Sequence, residues 1–307
     1  MNTGVEACET AIKLARLWGY KTKKIQQNKA EHVFPINNFW GRSIAACSSS
    51  TDSTCYNNFG PFLPGIHFVE YNNIFQLEEL FKNNPNICSY MMEPIQGEAG
   101  IIIPDDNYIR NVRILCDTYN VLLICDEVQT GLGRTGSLLC SRPSSISQST
   151  ILPDMVVLGK ALTGGMMPMS CVLANNNIMD NIEPGTHGST YGGNPLACAI
   201  AMEAVDIVRD KRLLNRVSKY GSLFRDTIYD NFVVPGVVKS VRGRGFLNAI
   251  EFETPKLAED VVFKLMKNGI LTKITRDKII RMCPPLTLSS SQYEESMSII
   301  LKTIKEV

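Results

Sequence analysis

A single lysine at the end of a short apolar run is the residue whose type and position point most directly to chemistry. Val156–Leu158 is rich in β-branched residues, and Gly159 and Lys160 follow it directly. The run predicts a buried strand, with Lys160 where the backbone leaves it. A lysine there is costly to desolvate, so we expect a functional reason for it. Once burial lowers its pKa, the amine can attack a carbonyl, and a Schiff base to an aldehyde cofactor is the simplest use.

Two acidic residues occupy the same kind of position. Glu93 follows the apolar run Ile87–Met92, and Asp126 follows Val121–Cys125. Ligands bind outside the carboxyl ends of the strands in a parallel sheet, so Glu93, Asp126 and Lys160 are expected to converge on one crevice. Asp126 could keep the ring nitrogen of a pyridine cofactor protonated, which makes the ring a better electron sink. For Asp126 alone, a loop cap or a surface acid is an equally good interpretation.

Two segments rich in glycine and hydroxyl groups could bind an anion. Thr3 and Glu6 have the spacing of a capping box, and the first N–H groups of the helix that it begins could hold a phosphate. From spacing alone, an ordinary capped helix is the better interpretation. The turn His187–Asn194, which contains Ser189 and Thr190, precedes another helix and could hold a phosphate or be a plain loop.

Two arginines stand beside apolar residues, where a guanidinium needs a carboxylate partner. Arg42 follows Phe39 and Trp40, and Arg281 lies in an apolar run. Either arginine could bind the carboxylate of a substrate through its bidentate fork, although a structural salt bridge is the better interpretation for each alone. Phe39 or Trp40 could stack on a planar ring, or belong to the core.

The composition disfavours several classes of function. The 307 residues carry a net charge of +1, and no stretch is strongly basic, so we expect neither a nucleic-acid partner nor an anionic membrane. No apolar run is long enough to cross a bilayer. The cysteines form no C-x-x-C pair and are expected to be small buried residues in a reducing compartment. The three histidines are far apart in sequence, which disfavours a histidine metal site or a Ser-His-Asp triad.

The order of apolar runs and helical patterns predicts an α/β protein with a mostly parallel sheet and a smaller α+β domain at the C-terminus. We place a large domain at 1–210 and a linker helix with the small domain at 211–307. The predicted strands are Ile87–Met92, Val121–Cys125, Met155–Leu158, Met169–Ala174, Val237–Val241, Leu247–Phe252 and Ile279–Met282. The predicted helices include Asp106–Tyr119, Pro195–Asp210, Lys211–Phe232, Pro255–Asn268 and Ser291–Val307. Ser48–Asn58 and Ser141–Thr150 have no periodicity and are expected to be mobile surface loops.

A set of motifs, in order along nearly the whole chain, closely resembles the class III aminotransferases, a fold-type I family that uses pyridoxal 5′-phosphate. The motifs are NTGVEACETAIKLAR at 2–16, NNFWGRS at 37–43, EPIQGEAG at 93–100, DEVQTGLGRTG at 126–136, LGKALTGG at 158–165, HGSTYGGNPLACA at 187–199 and RMCPPL at 281–286. Within that class the chain is most similar to the members that act on ornithine.

The resemblance implies a role for each candidate residue around the cofactor. Lys160 holds the cofactor as a Schiff base and then shuttles the proton, Asp126 pairs with the pyridine nitrogen, and Gln129 approaches the ring hydroxyl. The other implied cofactor contacts are Thr3, Gly4, Val5, Phe39, Ser189 and Thr190, of which Gly4 and Val5 offer amides to the phosphate, Phe39 stacks on the ring and Thr190 reaches the site of a neighbouring subunit. This last contact implies a homodimer.

The resemblance also implies how substrates bind. Arg42 takes the α-carboxylate of ornithine, and Arg281 takes a carboxylate of 2-oxoglutarate or glutamate. Glu98 masks Arg281 while ornithine is bound, because an unmasked Arg281 would attract the α-carboxylate and present the wrong amine. Glu93 supports the site without touching the substrate.

The implied reaction is a ping-pong transamination. Ornithine gives its δ-amino group to the cofactor and leaves as glutamate semialdehyde, after which 2-oxoglutarate becomes glutamate, with Lys160 as general acid and base in both halves. The alternatives are a class III enzyme acting on N-acetylornithine or 4-aminobutyrate, or a truncated relative without catalytic activity. A cytoplasmic location is expected, and a mitochondrial one is the alternative.

Three departures from the family pattern accompany the resemblance, and one of them is the Ser-rich stretch 141–150, which differs from the family's usual connection. The chain begins at the phosphate-binding motif, whereas family members carry a long segment before it, so we expect a protein that is incomplete at its N-terminus. Cys8 stands where a small residue such as glycine is expected. We expect Cys8 to touch none of the catalytic groups.

Overall fold

The computed structural model describes residues 1–142, 152–233 and 236–307, and these form two compact units. The first unit contains the described residues of Met1–Pro94, Pro104–Leu132 and Leu139–Ile207, and the second contains those of Ile95–Ile103, Gly133–Leu138 and Val208–Val307. Two short segments from early in the chain therefore belong to the second unit. The division into domains at residue 210 stays a proposal.

The first unit is built on a six-stranded sheet with the order β2-β1-β3-β4-β5-β6. The strands are β1 Glu31–Pro35, β2 Ile66–Val69, β3 Ile87–Met92, β4 Leu122–Asp126, β5 Met155–Leu158 and β6 Cys171–Ala174. All neighbouring pairs from β2 to β5 are parallel, and β6 alone pairs antiparallel, with β5. Every residue of β3, β4 and β5 is buried, which explains their continuous apolar runs.

The first unit also contains helices, and the first of them carries the motif at the start of the chain. They are α1 Gly4–Lys21, α2 Ile44–Ser48, α3 Ser53–Tyr56, α4 Ile74–Asn83, α5 Tyr108–Thr118, α6 Asn176–Met179 and α7 Pro195–Val208, together with a 3₁₀ helix at Lys160–Thr163. The capping box predicted for Thr3 and Glu6 is confirmed, since each side chain accepts from the backbone of the other. Helix α1 buries Cys8, Ile12 and Ala15 against the sheet.

The second unit has a four-stranded antiparallel sheet with the order β7-β8-β10-β9. Its elements are α8 Lys211–Phe232, β7 Val238–Arg244, β8 Leu247–Phe252, α9 Pro255–Lys267, β9 Lys273–Thr275, β10 Ile279–Met282 and α10 Ser290–Lys305. Apolar side chains of the three helices and the sheet form one core, which includes Phe224, Ile250, Val261, Ile280 and Ile300. The smaller α+β unit expected from the sequence is confirmed.

Strand β1 lies inside the large sheet, between β2 and β3, yet the sequence pattern does not predict it. Its residue His32 is polar but buried, because Arg16 Nε donates to its Nε2 at 3.1 Å and its Nδ1 lies 2.8 Å from the hydroxyl of Ser89. Burial lowers the pKa of His32 to about 3, so the ring is neutral and can lie inside the core. The apolar pattern does not reveal β1, because Arg16 and Ser89 provide hydrogen-bond partners that allow a polar side chain to lie in a buried strand.

The two predicted loops also differ from the structure. The segment Ser48–Asn58 contains α3, with Cys55 buried, because Asp52 accepts from the backbone N–H of Thr54 and starts a helical turn. Most of Ser141–Thr150 lies outside the described residues. Ser141 itself is buried rather than at the surface, since its N–H and hydroxyl both donate to Glu127.

The cysteines mostly behave as small buried residues. All ten lie in the described parts of the chain, none is in a disulfide, and seven of them are buried. Cys283 departs from the expectation because it is exposed. None of the helices in the described ranges is both long and apolar enough to span a membrane.

Candidate active site

A cavity of about 230 Å³ in the first unit contains three ionisable groups from the carboxyl ends of β3, β4 and β5. These strands are neighbours and parallel, so their carboxyl ends meet at one edge of the sheet. Glu93, Asp126 and Lys160 all line the cavity. The other lining residues are Gly4, Val5, Phe39, Trp40, Gly41, Val128 and Gln129. One pocket therefore combines an amine, two acids, an aromatic ring and the start of a helix.

Lys160 begins the 3₁₀ helix just beyond β5 and has a left-handed backbone, with φ of +41°. A residue with a Cβ rarely adopts this conformation, and such strain persists only where the surrounding structure holds it. The expected burial of Lys160 is wrong, because its side chain is exposed. The side chain of Lys160 extends past the buried strand to the part of the pocket that solvent reaches. Burial within this chain therefore does not provide the desolvation that we expected to activate the amine.

Asp126 is a buried carboxyl group, 5% exposed, at the end of β4. Its Oδ1 accepts from the N–H of Val128 at 2.9 Å, and its Oδ2 accepts from the thiol of Cys8 at 3.5 Å. Burial raises the pKa of Asp126 from 3.8 to about 6, while the Val128 hydrogen bond, the charge of Lys160 and the Cys8 thiol act in the opposite direction. The carboxyl group is therefore ionised at neutral pH, at the cost of a buried charge.

The contact between Cys8 and Asp126 corrects the expectation that Cys8 touches none of the catalytic groups. Cys8 is 1% exposed on the face of α1 that packs on the sheet. Its partner is 118 residues away in sequence. No sequence pattern indicates this pair, and the apolar stripe of α1 indicates only that Cys8 faces the sheet.

Glu127, which sequence reasoning did not single out, is fully buried beside Asp126. Its Oε1 accepts from the N–H and the hydroxyl of Ser141, both at 2.7 Å, and its Oε2 accepts from Cys140 N–H at 3.0 Å and from Thr130 at 2.7 Å. These four donors balance the desolvation of the carboxylate. Glu127 thereby ties residues 140 and 141 to the end of β4.

Glu93 acts on the pocket through the backbone of Phe39. It is 7% exposed, and its Oε1 accepts from Phe39 N–H at 3.0 Å. Phe39 lines the pocket as expected, whereas Arg42 is exposed and lies outside the lining, with its guanidinium 5.9 Å from the Phe39 ring centroid. No carboxylate in the described part of the chain forms an ion pair with Arg42.

The first turn of α1 provides backbone donors at the pocket. The N–H groups of Gly4 and Val5 have no acceptor within the helix, as in any first turn. A Cβ at Gly4 would lie 2.9 Å from Val128 Cγ1, and one at Gly41 would lie 2.4 Å from Val5 Cγ2. Side chains at positions 4 and 41 would crowd Val128 and Val5 in the pocket wall, so glycine keeps the space open.

Three predicted cofactor contacts lie outside this pocket. Thr3 is the exposed N-cap of α1 and is not among the lining residues. Ser189 and Thr190 line a separate surface cavity of about 660 Å³, where the Ser189 hydroxyl is 3.4 Å from Asn2 Nδ2. One chain therefore does not bring Ser189 and Thr190 together with Lys160.

The second unit contains the other predicted pair. Arg281 on β10 donates through Nη1 to Glu98 Oε1, and both side chains are mostly buried. Lys273 Nζ lies 3.4 Å from Glu98 Oε2, and the hydroxyl of Thr275 donates to the Glu98 carbonyl oxygen at 3.0 Å. Glu98 thus forms an ion pair with Arg281, as the resemblance implied.

Comparison with known proteins identifies the family. The model of the family "Aminotransferase class-III" matches residues 1–304. Ornithine aminotransferase of Drosophila melanogaster, named as mitochondrial, is 50% identical over 304 residues, which cover 99% of this chain and 69% of that protein. An ornithine aminotransferase structure from Toxoplasma gondii, described with partial occupancy of PLP at its active site, has 45% identity and a TM-score of 0.95 and covers 100% of this chain and 72% of its own. Acetylornithine aminotransferase of Elizabethkingia anophelis has 43% identity and a TM-score of 0.86, with 100% and 73% covered.

The chain therefore belongs to the class III aminotransferases, and it has their α/β fold with a mostly parallel sheet. Enzymes of this family depend on pyridoxal phosphate. The pocket fits that group by the chemistry of its donors. It offers a lysine amine for the aldehyde, a buried acid for a basic ring nitrogen, helix-start amides for an anion and the Phe39 ring for a planar surface.

The buried charge of Asp126 leads to a prediction for the cofactor-free protein. Unfolded Asp126 loses its proton near pH 3.8, whereas the folded group retains it to about pH 6, so stability falls as pH rises through this window. Asp126→Asn removes that penalty. We expect the variant to be more stable than the wild type at pH 8, by about 2 to 3 kcal/mol, with the difference vanishing below about pH 4. Urea denaturation across this pH range measures it.

The control for this experiment is Asp106→Asn, because Asp106 is exposed. Its stability should follow the wild type at every pH. An Asp126→Asn protein that is no more stable than the wild type at pH 8 would contradict the assignment of a penalty to this carboxylate.

Proposed function

We propose that the protein is an ornithine δ-aminotransferase, which transfers the δ-amino group of L-ornithine to 2-oxoglutarate and yields glutamate-5-semialdehyde and glutamate. The observation that carries the reaction type is the pocket that holds Lys160 and Asp126 together. The ion pair of Glu98 with Arg281 supports ornithine as the donor. The identity of 46–50% to ornithine aminotransferases over nearly the whole chain supports the same choice.

Pyridoxal phosphate, when bound, supplies an electrophilic aldehyde and a ring that accepts electrons. We assign the phosphate to the amides of Gly4 and Val5 at the positive end of α1, with Thr3 as the cap of that helix. Phe39 would hold the ring by packing, and Gln129 would bind the ring hydroxyl. Asp126 would hold the ring nitrogen, because an ionised carboxylate stabilises a proton on that nitrogen.

Lys160 has two roles in this proposal. Its Nζ would hold the aldehyde of the cofactor at the carboxyl ends of the strands. Once substrate has displaced it, Nζ takes a proton from Cδ of ornithine in the first half-reaction. In the second half-reaction Nζ delivers a proton to Cα of the nascent glutamate. The exposure of Lys160 in the single chain leaves the amine accessible for these transfers.

Substrate choice depends on two arginines. Arg42 binds the α-carboxylate of ornithine, and the absence of a carboxylate partner in the described chain leaves its guanidinium available. Glu98 neutralises Arg281, so the α-carboxylate has no competing site and the δ-amine is presented for reaction. With 2-oxoglutarate, Glu98 releases Arg281, which then binds a carboxylate of that acid. Glu93 supports the pocket by fixing the Phe39 backbone.

A second candidate is the acetylornithine enzyme, because the Elizabethkingia anophelis protein has the same fold at 43% identity. A 4-aminobutyrate enzyme of the same family is a further alternative. Rates with ornithine, N-acetylornithine and 4-aminobutyrate as donors separate the three. A preference for either alternative donor would reject the ornithine assignment and leave the transaminase class intact.

The acting form is proposed to be a homodimer. Helix α7 is apolar at nearly every position, yet Leu196 and Met202 are exposed, and so are Met166 and Tyr191 of the first unit. A helix that is apolar on all sides is normally buried, so a second copy of the chain is a suitable cover. Thr190 lies in a turn of the same unit, where it could reach the pocket of the other copy.

The cytoplasmic location also remains a proposal. The relatives from Drosophila melanogaster and Rattus norvegicus are named mitochondrial, which supports the other compartment. Fractionation of cells that express the native transcript distinguishes the two locations.

The role of Lys160 leads to a direct prediction. Lys160→Ala should lose the visible absorption band of the covalently held cofactor. Ornithine-dependent turnover should fall by at least a factor of about 10² to 10⁴, because the variant has no general base at this point. Absorption spectra and an assay of semialdehyde formation measure both effects. Lys82→Ala, at the exposed end of α4, is the control and should retain both. Survival of the band in Lys160→Ala would refute the covalent role.

The masking role of Glu98 can be tested by donor preference. Glu98→Ala leaves Arg281 without its carboxylate, so α-amino donors such as L-alanine should gain relative to ornithine. We expect the ratio of kcat/KM for ornithine to that for L-alanine to fall about tenfold or more. Glu259→Ala, an exposed acid on α9, should leave the ratio unchanged. An unaltered ratio in Glu98→Ala would contradict the proposal that Glu98 masks Arg281.

The dimer can be tested by sedimentation. Met202→Lys adds a charge to the exposed side of α7, and burial of that charge in an interface is costly, so the dissociation constant of the dimer should rise about tenfold or more. Ile114→Lys makes the same change at an exposed site on α5 and should sediment as the wild type. A wild-type protein that is monomeric at micromolar concentration would contradict the dimer.

A further inference from the structure

The hydrogen bond between Cys8 and Asp126 gives the buried carboxylate a partner on a different element of the fold. Cys8 lies on α1, is 1% exposed, and its Sγ is 3.5 Å from Asp126 Oδ2. The other oxygen accepts from Val128 N–H in the turn after β4. We propose that Cys8 is a positioning residue for Asp126, whose thiol fixes one carboxylate oxygen while the Val128 amide fixes the other. The inference rests on the proposed function insofar as Asp126 faces the ring nitrogen.

Two donors on separate elements define the carboxylate plane. With Val128 alone, the group could rotate about the bond to its Cβ and lose its direction toward the pocket. The thiol of Cys8 adds a second fixed point, and each oxygen keeps another lone pair for a further partner. Since Asp126 is 5% exposed, bulk water does not replace a lost donor at this place.

The charges around the pair indicate which way the proton lies. Burial and the nearby Asp126 raise the pKa of Cys8 well above its ordinary value, so the sulfur keeps its proton and acts as a donor. Asp126 faces the cation of Lys160 and the neighbouring Glu127, and the charge of Glu93 also acts on Cys8. Among these groups, the Cys8 thiol and Lys160 favour the ionised carboxylate, and Glu127 opposes it.

Cys125 provides a matched control within the same site. It directly precedes Asp126 on β4 and is fully buried, but its side chain packs into a different apolar cluster, formed with residues such as Val33, Leu77 and Tyr90. It forms no hydrogen bond with Asp126. Cys8 and Cys125 are therefore both buried thiols near Asp126. Of the two, only Cys8 donates a hydrogen bond to the carboxylate.

The first test uses the cofactor-free protein, so it does not depend on activity. The S–H stretching band of Cys8 is isolated by subtracting the infrared spectrum of Cys8→Ala from that of the wild type, and the band of Cys125 by the corresponding subtraction. We expect the Cys8 band at a lower frequency than the Cys125 band, and a shift of the Cys8 band alone in an Asp126→Asn background. A Cys8 band that does not respond to Asp126→Asn would overturn the proposal, even in an active aminotransferase.

The second test measures the dissociation constant of pyridoxal phosphate as a function of pH. Cys8→Ala removes a donor that favours ionised Asp126, so Asp126 should take up its proton at a higher pH. As the pH is lowered, the variant should therefore lose its affinity for pyridoxal phosphate at a higher pH than the wild type does. At pH 6.5 the dissociation constant should be about three- to tenfold larger. Cys8→Ser, which retains a donor, should restore most of the wild-type profile, and Cys125→Ala should follow the wild type.

A merely structural role for Cys8 would change affinity equally at all pH values and would not distinguish serine from alanine. That outcome would overturn the proposal. A failure of ornithine to act as donor, with the infrared shift and the pH profile both as expected, would reject the substrate and leave the role of Cys8 intact.

Discussion

The parallel pairing of β3, β4 and β5 is the constraint on which the rest of the site depends. Because the three strands run in the same direction and are adjacent, the residues at their carboxyl ends meet at one edge of the sheet. Glu93, Asp126 and Lys160 come from sequence positions more than thirty residues apart, yet they line one cavity. The order and direction of the strands are enough to bring these three residues together. Side-chain contacts then determine their positions within the cavity.

The cost of this arrangement is concentrated at Asp126. Burial raises the pKa of Asp126, which is 5% exposed, to about 6 even though Val128, Lys160 and Cys8 favour the ionised form, so an ionised Asp126 at neutral pH costs stability. The fold supplies donors to both of its oxygens, from Val128 and Cys8. The folded protein is thus less stable with Asp126 ionised, but the carboxylate is already oriented, and such a loss of stability is common at functional sites.

The sequence was sufficient for the parts of the fold and site that depend on local pattern. Continuous apolar runs revealed β3 and β5 with their observed bounds, and thereby placed Glu93 and Lys160 at strand ends. It was insufficient where a polar residue is buried by a distant partner. His32 in β1 is accommodated by Ser89 and Arg16, contacts that no periodicity contains.

The same limit applies around Asp126. Its bond to Cys8 spans 118 residues, and the bonds of Glu127 to residues 140 and 141 join residues 13 and 14 positions apart, which no periodicity of strand or helix contains. The exposure of Lys160 was also mistaken, because an apolar run describes the strand and not the residue beyond it. Motif resemblance supplied roles for Gln129 and Arg42, but the contacts of Cys8 with the site came only from the structure.

Helix α1 links two ends of the pocket, which explains why a change on this helix would have more than one effect. Its first turn presents the amides of Gly4 and Val5, and Cys8 follows one turn later on the face toward the sheet. Four residues of helix correspond to a rise of about 6 Å, so the first-turn amides and the donor to Asp126 are held at a fixed separation by one helix. Movement of α1 would therefore shift both the amides of its first turn and the donor to the Asp126 carboxylate, because a single helix carries them.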